Sequence, residues 1–330
     1  MTLHDTLFAA VYAEPDSDAP RAVLGDALLA DGDPRGEFIQ LQLARRRSKP
    51  SEARMRELLR AHAASWTGGL GHPGRCRFRR GFVAWVELAA MPSDEELDNP
   101  AWCTVEALQI GGPAPAPELA RVLAHPHCRG VRELSNVDLD SLRELVGDRE
   151  LERLSARAPF ALLPRGLRVR ELTLRAPFGP PGSSPPLEDS LAWFTALPQR
   201  DSVRMFAVDL HESALARAAA WLVGPSAPPT LARLALTPEF DYEHEPQAWQ
   251  IELTRAGGTS VAVAATWHGK LRGERLPEGI GAALAAMPNG SIARFIARSA
   301  VFVQPETAEI LNCELATGLA AHGLPAIRLQ

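Results

Sequence analysis

The sequence predicts an α/β chain in which a small helical domain precedes a long array of short strands and helices, interrupted by one inserted β-hairpin. Three observations predict it. Apolar residues recur at helical spacing through the first 66 residues. From residue 105 onward an apolar, variable, variable, apolar, variable, apolar-or-small pattern recurs with helix-like runs between its copies. Two alternating runs flank Gly257-Gly258. The expected divisions are 1–66, helical; 67–104, a β connector; and 105–330, the array, with the hairpin at about 248–268.

Leu3, Leu7, Phe8 and Val11 predict a first helix that stops at Pro15. Asp18 stands as N-cap of a second, before Pro20 and the series Val23, Leu24, Ala27, Leu28. A third opens at Asp33-Pro34, a cap followed by a proline whose missing N–H is no loss in a first turn. It presents Phe38, Ile39, Leu41 and Leu43. A fourth, Ser51 to Trp66, follows a break at Lys49-Pro50. Asp26, Arg35 and Glu37 read as a salt-bridged, capped corner between helices rather than as an acid and base pair for catalysis.

These residues carry a resemblance. Glu14-Pro15-Asp16-Ser17-Asp18-Ala19-Pro20-Arg21, then Asp26, Leu29, Gly32-Asp33-Pro34-Arg35-Gly36-Glu37-Phe38-Ile39 and Leu41-Gln42, resemble the bacterial repeat-companion domain of myxobacterial and planctomycete proteins. The resemblance covers the first 47 residues. It implies that leucine-rich or similar repeats follow, and it brings no catalytic residue. Gly25 departs from it, and a larger residue there would hold the second helix more firmly.

From Phe78 the chain reads as β-structure: Phe78, Phe82, Trp85, Val86 and Leu88, with Gly81. The strand pattern then appears at Val105-Leu108-Ile110, Leu151-Leu154-Ala156, Val169-Leu172-Leu174, Val203-Phe206-Val208, Leu231-Leu234-Leu236, Ile292-Phe295-Ala297 and Leu324-Ile327-Leu329, with a weaker copy at Val131-Leu134-Asn136. Helix-like runs lie at 117–124, 141–146, 187–197, 212–223, 279–287 and 307–321. Pro177 to Pro186 reads as a loop. Trp249 to Leu253 and Val261 to Trp267 read as the hairpin.

This alternation resembles a leucine-rich-repeat solenoid of parallel strands, in degenerate form. The asparagine usual in such repeats is replaced by Pro177, His211 and Glu239 in three copies. The competing architecture is a compact α+β domain with one mixed sheet.

Composition narrows function. With 46% hydrophobic and 23% charged residues the chain is globular, and it holds no apolar run long enough to span a membrane. Asp5, Glu14, Asp16 and Asp18 stand where a secretory leader would be basic and then apolar, which predicts a cytoplasmic protein. Cys76, Cys103, Cys128 and Cys313 form no CxxC pair and read as free, buried thiols. The phosphate-binding, dinucleotide, nucleophile-elbow and zinc-protease motifs are absent, so no enzyme and no cofactor are expected. Neither Glu239, Asp241, Glu243, His244 and Glu245 nor His125-Pro126-His127-Cys128 has an ordered metal-ligand spacing, and no metal is expected.

The expected function is an interaction scaffold. Strand alternation puts Arg153, Arg157, Glu171, Arg175, Asp209, Arg233, Arg294 and Arg298, with Glu133, Ser135 and Val137, on one face. Its arginines suit another protein with an acidic surface. The alternative partner is nucleic acid. Between Gln42 and Arg80 eleven basic residues, among them Arg45, Arg46, Arg47, Arg75, Arg77, Arg79 and Arg80, stand against two acids, with Trp66 and Phe78 interleaved.

Overall fold

A computed structural model describes residues 2–46, 48–145, 147–157, 163–175, 186–209, 215–237, 248–268, 280–288, 290–299, 315–316, 319–320 and 322–324. The chain is mixed α/β and divides into two compact units, Met1–Gly147 and Asp148–Gln330. The first takes in the helices, the connector and two copies of the strand pattern, whereas the sequence placed its divisions after 66 and 104.

The first unit opens with α1 (Leu3–Ala13), α2 (Asp18–Ala30), α3 (Pro34–Leu43) and α4 (Lys49–Trp66). Asp33 caps α3 as expected, its carboxylate accepting from the Arg35 N–H at 2.8 Å. Two boundaries differ from expectation. Ser17, not Asp18, caps α2, because the shorter hydroxyl accepts from Ala19 N–H and leaves Asp18 in the first turn, where its charge suits the helix dipole. Ser48 caps α4, and Pro50 lies inside its first turn instead of breaking the chain there.

The helices bury two apolar clusters. Val11, Leu24, Leu28, Ile39 and Phe82 form one; Phe38, Met55, Leu58 and Trp66 form the other. Helices α2 and α3 cross at glycine, since a Cβ on Gly36 would sit 2.3 Å from the Leu29 nitrogen. Gly25 is buried in the same crossing, and a Cβ there would come within 3.0 Å of Ile39. Its small size admits the close approach of α3, so it does not loosen α2 as the sequence suggested.

The strands of this unit are β1 (Cys76–Arg79), β2 (Phe82–Leu88), β3 (Ala107–Ile110) and β4 (Glu133–Asp138). The first two form an antiparallel hairpin, while β2, β3 and β4 run parallel in sequence order. Arg80 and Gly81 make the tight turn with φ of 53° and 86°. The sequence did not anticipate α5 (Asp94–Leu97), capped by Ser93. Helix α6 (Ala116–Ala124) crosses from β3 to β4, as its pattern predicted, but the run at 141–146 is a 3-10 turn, Leu139–Leu142. Asn136, at φ 59°, interrupts the alternation of β4, which buries Val137 where the sequence had it on the outward face.

The second unit contains β5 (Arg149–Arg157), β6 (Leu167–Arg175), β7 (Met205–Asp209) and β8 (Arg233–Thr237), paired in parallel and in that order. Helices α7 (Leu187–Ala196) and α8 (Leu215–Val223) provide the crossovers that parallel pairing demands. Strands β9 (Ala248–Gly257) and β10 (Ser260–His268) are the expected hairpin, β9 pairing antiparallel with both β8 and β10. After α9 (Ile280–Ala285), β11 (Ile292–Ser299) returns parallel to β10. Each unit's sheet is therefore mixed. The loop at 177–185, most of the run at 307–321 and the end of the last strand copy, with Ile327 and Leu329, lie outside the described residues.

The apolar places of the pattern are the core. Leu154, Leu172, Phe206, Leu234, Leu253, Val263 and Phe295 form one buried row, one residue per strand. Phe194 from α7 stacks on Phe206 with centroids 4.3 Å apart.

Replacing Phe38, fully buried and stacked on Trp66 at 5.1 Å, by alanine is expected to destabilise the first unit by about 3–5 kcal/mol, read by denaturant unfolding. Gly81→Ala should also destabilise it, because a Cβ would lie 2.2 Å from Ile39 Cγ1 at a positive φ. Unchanged unfolding midpoints would place these residues outside the cooperative core.

Candidate interaction surface

Alternation that buries one set of side chains sends the other set outward. In the second unit the strand register lines that set up in rows. One row runs Arg153, Glu171, Met205, Arg233, Thr254, Ala262, Arg294 from β5 to β11. The next runs Ser155, Thr173, Ala207, Ala235, Glu252, Ala264, Ile296. Arg157 and Arg175 are paired in a third.

Six of the eight residues singled out in the sequence can be placed with their side chains. Arg153, Arg175 and Arg294 are exposed, and Arg157, Glu171 and Arg233 are half-buried. Asp209 and Arg298 belong to β7 and β11, but their side chains lie outside the described residues. Arg233 does not present a bare charge. Its guanidinium reaches Glu171 at 3.2 Å and Glu252 at 3.7 Å, tying β6, β8 and β9 together across the surface. The second row is not open throughout, since Ala207 and Ala235 are each 3% exposed and buried among their neighbours. The hairpin residues Thr254, Glu252 and Ala264 were missed by the sequence reading, although their alternation about Gly257-Gly258 was the signal that would have found them.

Part of the basic segment between Gln42 and Arg80 is engaged within the fold. Arg54 donates twice to Glu37 at 2.7 Å and also meets Glu57. Arg77 lies over the Trp85 ring at 4.4 Å. Arg79 and Arg80 both pair with Glu106 at 2.5 Å, and Arg80 also reaches Asp18. Trp66 is buried against Phe38 and offers no face to a base. Arg45, Arg46, Arg60 and Arg75 are exposed, and Arg47 lies outside the described residues.

Asp26, Arg35 and Glu37 do not converge. Asp26 accepts from Gln40 at 2.7 Å, Arg35 stacks over Phe8 and Phe82, and Glu37 faces Arg54. The fully enclosed charge of this region is Arg21, 1% exposed, which donates to the Ser17 carbonyl at 2.8 Å and lies 5.4 Å from the Phe82 centroid. Burial, with Arg80 adding like charge, pulls its pKa down to about 10, which still leaves it charged at neutral pH.

Histidines 125 and 127 are held locally. His125 Nδ1 accepts from the His127 N–H at 3.3 Å and its Nε2 lies 3.5 Å from Asp98. His127 Nδ1 lies 3.0 Å from the Leu97 carbonyl, and Cys128 is fully buried. Among the described residues no three His, Cys, Asp or Glu side chains gather as a metal would require. The acidic group at Glu239 to Glu245 lies outside them, as does Cys313, while Cys76, Cys103 and Cys128 are free and buried.

The Arg54 hydrogen bonds hold the Glu37 carboxyl below its ordinary value. A depressed carboxylate stabilises the fold above its unfolded pKa and loses that stabilisation as pH falls through the folded one. Glu37→Gln should therefore flatten the acid limb of the stability curve below pH of about 4.5. Denaturant titrations of both proteins across that limb check it, and parallel curves would show that the pair contributes nothing.

Compared with known proteins, the chain matches no family model, no curated protein and no solved structure.

Proposed function

We propose that this chain is a non-enzymatic protein–protein interaction module of the cytoplasm. In this reading a repeat-companion domain precedes a degenerate leucine-rich-repeat-like solenoid, and the outward rows of the second unit receive a partner with an acidic surface. The observation that carries the reading is the pairing of β5 to β11, which repeats one outward row on seven successive strands despite the register shifts at the start of β10. Repetition of that kind widens a contact surface without disturbing the core behind it. Arg153, Arg157, Arg175 and Arg294 supply its positive charge, and guanidinium groups suit carboxylates in bidentate geometry. Among the described residues no helix is long and apolar enough to cross a membrane.

The second reading, a nucleic-acid-associated protein, draws on exposed Arg45, Arg46, Arg60 and Arg75. It is the weaker one, since Arg54, Arg77, Arg79 and Arg80 are engaged within the fold.

The test is a paired measurement on the double variant Arg153→Glu, Arg294→Glu. Both side chains are exposed, so the melting temperature should stay within about 2 °C of the wild type. Proteins cross-linked to the native chain should be recovered at least about tenfold less well, the scale of a lost charge-assisted contact. Undiminished recovery overturns the assignment of the face. Binding of a random oligonucleotide that weakens steeply with salt, and is lost in an Arg45→Glu, Arg46→Glu variant, would establish the second reading instead.

A further inference from the structure

A groove of 580 Å³ lies in the first unit between α1 and the two 3-10 turns Pro100–Thr104 and Pro126–Cys128. One wall is the helix face Asp5, Phe8, Ala9, Tyr12 and Ala13, spaced at i, i+3, i+4, i+7 and i+8. The opposite wall is Pro100, Cys103, Pro126, His127 and Arg129. Ala9, Ala13, Pro100 and Pro126 line it together with the rings of Phe8 and Tyr12. The result is a slot of the size that takes a small organic molecule.

The polar groups of the slot are fixed, and each offers a defined valence. The Tyr12 ring is held edge-on to Phe82 at 6.1 Å, while its hydroxyl hydrogen-bonds to no described group. Burial raises the pKa of that phenol, so it remains a donor. His127 places Nδ1 on the Leu97 carbonyl at 3.0 Å, which in the neutral ring puts the proton there and leaves Nε2 as an acceptor. Arg129 spends one N–H on the Ala13 carbonyl at 3.2 Å, a neutral partner that leaves its charge uncompensated. Asp5 stands about 12 Å away along the helix axis, with its carboxylate already accepting the Thr2 N–H at 2.7 Å. Arg129 thus stands at the Ala13 end of the slot and Asp5 at the other, which sets the direction of an anionic guest.

We propose that this groove binds a planar aromatic carboxylate bearing a ring N–H or O–H donor beside the acid. The acid sits at Arg129, with the Tyr12 hydroxyl as its second donor. The neighbouring ring donor meets His127 Nε2, because His127 and Arg129 are two residues apart on one turn. The flat ring lies between the prolines and the Phe8 and Tyr12 side of α1. This site is separate from the outward rows of the second unit and does not rest on their function.

Indole-2-carboxylate is the probe, titrated into the full chain and followed by ¹H–¹⁵N correlation spectra. Saturable shifts are expected along α1 and at 126–129. Two analogues separate the contacts: indole-2-carboxamide removes the charge, and benzofuran-2-carboxylate replaces the N–H with oxygen. Each should bind at least about fivefold more weakly, the scale of one lost hydrogen bond. Arg129→Glu should weaken the carboxylate by tenfold or more, roughly, with the carboxamide little affected. Ala9→Phe fills the slot from an exposed position and should abolish binding of all three without changing the melting curve; Ala13→Phe, also exposed, repeats the block from the other end. Absence of saturable shifts in these segments at millimolar probe, equal affinity for the carboxylate and either analogue, or full binding by both filled variants overturns the proposal.

Discussion

The side chain on which the first unit depends is Phe82. It belongs to a strand, yet it lies in the cluster of Val11, Leu24, Leu28 and Ile39 contributed by α1, α2 and α3. Helices of 11, 13 and 10 residues are too short to be stable alone, so their order comes from what they bury. The turn that delivers Phe82 is correspondingly constrained. Gln42 accepts the Gly81 N–H at 2.7 Å and donates to the Phe78 carbonyl, clamping the hairpin to α3. Arg35 lies 4.7 Å from the Phe82 centroid and Arg21 5.4 Å, so two cations share one ring. Burying like charges is unfavourable unless acids stand nearby. For Arg21 that need is met by Asp18, Glu106 and Asp16, and for Arg35 by Asp33.

The repeat itself stands on backbone geometry rather than on an asparagine. In four copies the first apolar residue closes a tight turn through its own N–H: Val105 to Trp102, Val131 to Cys128, Val203 to Arg200 and Leu231 to Pro228; ahead of the Val169 copy it is Leu167 that does so, to Pro164. The next N–H bonds to the preceding strand, as Arg204 does to Arg170 and Ala232 to Arg204. The turn and the first rung of the ladder are set by the same pair of residues, so each copy enters the sheet in register. Asn136, the one asparagine at a strand position among the described residues, bonds sideways to the Ile110 carbonyl at 2.5 Å and bends β4 instead. Insertion of β9 and β10 leaves the array's direction unchanged, because two reversals restore it and β11 runs as β8 does.

What was legible in the sequence was what period and capping report. Apolar periodicity gave the helices of the first unit and the core row from Leu154 to Phe295, since burial is the force that selects those residues. The hairpin was legible because its glycine turn and alternation coincide. Boundaries were less so. Ser17 and Asp18 are both good caps, and only the backbone decides which residue takes the extended conformation. Gly25 was misread because its role is a close approach between helices distant in pairing, invisible along the chain. Val137 was misplaced because alternation presumes regular backbone, which the left-handed Asn136 breaks. The groove beside α1 was not legible at all: its walls meet only in three dimensions, and Ala9 and Ala13 give no sequence signal when they face a space rather than a core.

Many arginines of the first unit serve its own packing. In the first unit Arg21, Arg35, Arg54, Arg77 and Arg80 are consumed by rings, carbonyls and carboxylates of the fold. Reversing one of them would disturb packing before it disturbed any partner. In the second unit the outward rows are decoupled from the core by the strand itself, one residue in and the next out. Arg233 bridges two glutamates, Glu171 and Glu252, in the middle of its row. The exposed Arg153 and Arg294 stand on the first and last strands of the row. If that face receives a partner, as proposed, the partner meets charge at both ends of the row, while the buried rows lie on the opposite side of each strand.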